Sequence, residues 1–83
     1  MFEDDMTEDS AGNRFQEFDM IGGERIRVTR IGHADWANGP TIRIQKRTAT
    51  GHLTPGPEFP QRLAGDLTKA LFDVLEDDVE GGS

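Results

Sequence analysis

The stretch TIRIQKR, Thr41 to Arg47, holds Arg43, Lys46 and Arg47 in a chain of 83 residues whose formal net charge is −7. An earlier stretch, RIRVTR, adds Arg25, Arg27 and Arg30. Guanidinium and ammonium groups at this density suit one chemistry above others, contact with phosphate oxygens. Trp36 lies between the two stretches in GHADWANGP and offers a ring on which a base can stack. The expected site is therefore Arg25, Arg27, Arg30, Trp36, Arg43, Lys46 and Arg47. The expected ligand is single-stranded DNA or RNA, bound with little sequence preference. The competing account is a solvated arginine-rich outer face that keeps a sheet edge from aggregating, with Trp36 folded back over the edge of the core.

Other chemistry finds little support. His33, Asp35 and His52 do not make a metal site, because no third close ligand is fixed by their spacing. Glu3, Asp4, Asp5, Glu8 and Asp9 fall in a segment too polar to hold a preorganised geometry. No Gly-Lys-Ser/Thr follows the glycines, so there is no phosphate loop. Without cysteine there is no thiolate chemistry and no disulfide. An enzyme is not expected, and neither is a cofactor or metal.

The charge is divided along the chain. Residues 1–24 hold eight acids and one base, residues 25–62 seven bases and two acids, and residues 63–83 six acids and one base. A basic middle attracts polyanions. The acidic ends solubilise the chain, compete with nucleic acid for the basic face, or bind a protein partner. No apolar run reaches the length of a membrane span, and the acidic start lacks the order of a secretory signal. A cytoplasmic location is expected, with nucleoid association or the nucleus compatible.

The elements that must position the arginines follow from periodicity. Arg14–Ile21 reads as a first strand, with Phe15 and Phe18 as core or edge residues, and Gly22–Glu24 as a tight turn. In Arg25–Ile31, Ile26 and Val28 oppose Arg25, Arg27 and Thr29. In Thr41–Arg47, Ile42 and Ile44 oppose Thr41, Arg43, Gln45 and Arg47. Arg30 and Lys46 have the wrong parity for the arginine face, so a bulge or strong twist is needed to bring them there. Short strands fit around His52–Leu53 and Glu58–Phe59. Neither basic strand contains an acid, so four guanidiniums on one face require an anionic partner. From Pro60 the period changes. Leu63, Leu67, Ala70, Leu71, Val74 and Leu75 recur at three and four, which predicts a helix against the sheet. The fold class is α+β, an antiparallel sheet of three to four strands followed by one C-terminal helix. A chain this short has a thin core, and a homodimer is expected. The expected division is a disordered acidic tail over 1–13, a ββββα domain over 14–77 and a flexible acidic tail over 78–83.

This order of elements resembles the transcriptional coactivator family named positive cofactor four, across residues 14–77. Gly51, Leu53, Pro55 and Gly56 match that family's turn before the last strand and helix, and Pro60 matches the proline that opens its helix. Arg25, Arg30 and Lys46 fall at its basic positions. Thr54 and Glu58 stand where the family has basic residues in the turn, and Ala49 stands where it has an aromatic. The resemblance implies a curved sheet, a homodimer with helices packed across a two-fold axis, and single-strand binding weaker than is usual in the family. It thus points to a transcription or DNA-maintenance accessory factor. The alternative is a protein-interaction module, a transcription or antitoxin-like partner, without nucleic-acid binding.

Overall fold

The computed structural model describes residues 7–81, with side chains described through residue 77. Six strands form one open antiparallel sheet: β1 (Thr7–Glu8), β2 (Arg14–Asp19), β3 (Arg25–Ala34), β4 (Gly39–Arg47), β5 (Leu53–Thr54) and β6 (Glu58–Pro60). One helix, α1 (Ala64–Gly81), follows a 3-10 turn at Gln61–Leu63. The α+β class with a C-terminal helix is as expected; the sheet has more strands than the three to four anticipated.

The long strands form where β-branched residues alternate with arginine and glutamine. The connections follow from local chemistry. Gly22 and Gly23 both take positive φ in the β2–β3 turn, at 73° and 82°. Asn38, with φ 54°, reverses the chain between β3 and β4 after the 3-10 turn Asp35–Ala37. β5 and β6 share the edge of β4 that faces away from β3, pairing with residues 46–47 and 41–43 respectively. Between them Ile44 N–H donates to the Pro57 carbonyl at 2.9 Å, which keeps the ladder continuous.

Two boundaries differ from expectation. Of the N-terminal tail expected to be disordered, Thr7–Glu8 pairs with Arg14 and Phe15 as β1. The Asp9 carboxylate builds the intervening turn by accepting from the Ala11 and Asn13 amides at 2.9 Å each. Residues 1–6 lie outside the described residues. At the other end, the helix continues to Gly81, through most of the segment expected to be a flexible tail, while residues 82 and 83 lie outside the described ones.

The third difference concerns packing. Among the described residues, only Thr29 and Thr41 are buried, and no apolar side chain is. The helix docks mainly on the turn before it. Leu71, Phe72, Val74 and Leu75 are all more than half exposed. The expected helix-on-sheet layer is therefore absent among the described residues of one chain. No helix among the described residues is long and apolar enough to cross a membrane.

Candidate nucleic-acid interface

Register decides which side chains share a face, because directly paired residues of antiparallel strands project the same way. β2 to β3 pairs Asp19 with Arg25, Glu17 with Arg27 and Phe15 with Thr29. β3 to β4 pairs Arg25 with Arg47, Arg27 with Gln45 and Thr29 with Arg43. β6 adds Glu58 opposite Arg43. One face thus collects Arg25, Arg27, Arg43 and Arg47, as the alternation requires. Ile26 pairs with Lys46 and Arg30 with Ile42, which puts Lys46 and Arg30 on the opposite face. The only register shift in that ladder lies between Ile31 and Ala34, beyond both residues. It brings neither of them to the arginine face.

The anions that the two basic strands lack come from their neighbours. Glu17 of β2 is a shared acceptor. Its Oε2 takes Arg27 Nε at 2.7 Å and Arg47 Nη2 at 3.0 Å, and its Oε1 is 3.4 Å from Arg25 Nη1. The Glu17 side chain is only 10 % exposed. The Arg47 hydrogen bond has the largest effect on its carboxyl. Together with Arg27, and against the opposing effect of burial, it holds the pKa below the usual glutamate value. Asp19 accepts from Arg25 Nε at 3.1 Å at the exposed rim. Four guanidiniums therefore face three carboxylates, and a partner anion is not required to keep this face intact.

The second cluster is built on Glu58. Oε2 accepts from the Thr41 hydroxyl at 2.7 Å and Oε1 from Arg43 Nε at 3.0 Å. The Thr41 bond leads in lowering the Glu58 pKa, ahead of Arg43, and the Trp36 side chain adds to the effect. Trp36 itself sits in the turn between β3 and β4 and is 63 % exposed. An open hollow of about 320 Å³ lies on the other side of Arg43 along β4, lined by Arg43, Gln45, Leu53, Pro55 and Gly56.

A common pattern runs through these contacts. Arg25, Arg27 and Arg43 are each held on an acid by Nε. Among the described residues, the terminal nitrogens of Arg27 and Arg43 have no protein acceptor. Arg47 differs, since Nε and Nη2 meet Glu17 and Nη1 meets the Gly51 carbonyl at 2.9 Å. On the opposite face Arg30 Nε donates to Gln61 Oε1 at 2.7 Å, and Lys46 Nζ lies 3.3 Å from Glu24. His33 Nε2 is 3.2 Å from Asp35 in the open, and the described residues contain no group of three metal-ligating side chains.

Sequence reasoning missed Glu17, Asp19 and Glu58. A signal for the first two is present. In RFQEFD the acids are spaced by two, and after a short turn the arginines of RIR repeat that spacing, so a hairpin sets acid against base. Glu58 carries no such local signal, because β6 reaches β4 across a loop.

Comparison with known proteins finds no family model, no curated protein and no solved structure that matches this chain.

Proposed function

We propose that this chain binds single-stranded nucleic acid, DNA or RNA, on the arginine face of its sheet, and that it does so as a homodimer. The observation that carries the reading is the arginine pattern. Nε anchoring fixes the Arg27 and Arg43 guanidiniums and leaves their terminal nitrogens, with Nη2 of Arg25, for phosphate oxygens, so less side-chain entropy is lost on binding. The exposed Trp36 side chain at the end of the same face supplies a stacking surface. Acids offset most of the charge, so affinity is modest and stacking carries a large share of it. A transcription or DNA-maintenance accessory role fits such a binder.

The second copy covers the apolar surface that a single chain leaves open. Ile26, Val28, Ile42, Ile44 and Phe59 line the sheet face opposite the arginines, bordered by Arg14, Arg30 and Lys46. The described helix residues pair an apolar stripe with Asp66, Asp73, Glu76 and Asp77 against one base, Lys69. A helix from one copy thus matches the sheet of another in both apolarity and charge. On this reading Arg30 and Lys46 serve the dimer and not the nucleic acid.

The test is oligonucleotide binding as a function of salt. Contacts from Arg25, Arg27 and Arg43 should give a slope of log affinity against log salt near −2 per protomer, at about −0.7 per phosphate. Trp36→Ala should cost about 1–3 kcal/mol and leave the slope in place. Arg43→Gln should reduce the slope by about 0.7. Failure to bind at about 20 mM salt, where screening is weak, sinks the reading and leaves the protein-interaction alternative.

A further inference from the structure

We infer that the hollow at the Arg25–Arg47 end of the sheet is a subsite for a terminal phosphomonoester, the end phosphate of a nucleic-acid strand. The inference deepens the nucleic-acid reading and rests on it. The hollow holds about 410 Å³ and is lined by Thr7, Phe15, Glu17, Arg25, Arg27 and Arg47. It lies four residues along β4 from Arg43, about 14 Å, and is thus separate from the Trp36 cluster.

Its cations are fixed before any ligand arrives. Arg27 is clamped between Glu17 Oε2, at 2.7 Å, and the Phe15 ring, whose centroid lies 3.7 Å from its Cζ. Arg47 is held by Glu17 and by the Gly51 carbonyl. Arg25 reaches Glu17 at 3.4 Å and keeps about half of its side chain in solvent. Such groups cannot follow an arbitrary anion as surface lysines do; they define a place for one.

Charge selects the ligand class. The lining carries three guanidiniums and one carboxylate, and Asp19 touches Arg25 only from the exposed rim. An internal phosphodiester brings one negative charge and leaves an excess. A phosphomonoester brings close to two at neutral pH. The charged groups lining the hollow are Glu17 from β2, Arg25 and Arg27 from β3, and Arg47 from β4; Asp19 meets Arg25 at the rim outside it, and β1 contributes the neutral Thr7. Hydrogen bonds from Arg47 and Arg27 keep Glu17 ionised through mildly acidic pH. The ligand therefore titrates there first, with its second pKa near 6.

The experiment compares three oligonucleotides of one sequence, with a 5′ phosphate, a 3′ phosphate or neither, by fluorescence anisotropy. One phosphorylated form should bind about tenfold tighter at about pH 7.5, the effect of one added charge-assisted contact. The advantage should shrink toward unity near pH 5. Arg25→Gln, which removes the most exposed of the three guanidiniums, and Arg47→Gln should abolish it, and Arg43→Gln should keep it. Equal binding by all three oligonucleotides, with Trp36→Ala still weakening each, overturns the subsite and leaves the nucleic-acid reading standing. Binding by none of them overturns that reading. The subsite is then judged with inorganic phosphate by NMR. Shifts of the Arg25, Arg27 and Arg47 Nε–H signals, with Arg43 unmoved, support it. Uniform shifts, or none, overturn it.

Discussion

Arg47 on β4 donates through Nη2 to Glu17 on β2 at 3.0 Å, reaching over the intervening strand β3. The two residues are thirty positions apart, and their contact joins three strands at one point. Where no apolar side chain among the described residues is buried, such a polar clamp takes on part of the work of a core.

Replacing Glu17 by glutamine keeps the shape and removes the charge on which Arg25, Arg27 and Arg47 converge. Hydrogen bonds to a charged group are worth about 1.5–3 kcal/mol, and the variant should lose about that much stability. Urea unfolding at fixed protein concentration measures it, and a midpoint equal to that of the parent chain would refute the clamp.

Acid should destabilise the fold through the same carboxylates. Hydrogen bonds lower the pKa values of Glu17 and Glu58 below the usual value of 4.5. The folded form therefore binds fewer protons than the unfolded chain as pH falls through that range. The stability these groups contribute is complete above about pH 5.5 and is lost as pH drops through the usual value toward their lowered ones. Thermal midpoints taken against pH should fall on that limb. The double variant Glu17→Gln/Glu58→Gln should start lower and fall less.

Gly56 is confined by its neighbour. A Cβ there would stand 1.8 Å from the Ile44 carbonyl oxygen, a backbone atom that cannot yield. Gly56→Ala should push the Pro55–Pro57 loop off β4, break the Ile44–Pro57 hydrogen bond and cost about 1–3 kcal/mol. Hydrogen exchange at the Ile44 amide should accelerate. Gly32→Ala, where nothing lies within 4 Å, should change stability by no more than about 0.5 kcal/mol.

The helix should carry the dimer contact. Leu71→Glu places a charge in the exposed apolar stripe and should convert a species of twice 9.2 kDa into one of 9.2 kDa in sedimentation experiments. The parent chain should show a melting temperature that rises with protein concentration. A parent chain that is monomeric and melts independently of concentration would remove the dimer.

Some of this was written in the residues themselves. Alternation in RIRVTR and TIRIQKR determined the two central strands and put Arg25, Arg27, Arg43 and Arg47 on one face, because a strand turns its side chains with period two. The same parity placed Arg30 and Lys46 on the other face. The spacing of Leu67, Leu71 and Val74 determined the helix, because positions three or four apart fall on one side of it. Tertiary structure decided what surrounds those groups. Which acid meets which arginine depends on strand register, and Glu58 reaches Arg43 only because the Pro55–Pro57 loop carries β6 back along β4. The apolar stripe of the helix was legible, but its lack of a partner among the described residues was not. Periodicity reports which face of an element is apolar; whether that face meets its own sheet depends on how the chain leaves the preceding turn, and here the helix departs from the sheet at Gln61–Leu63.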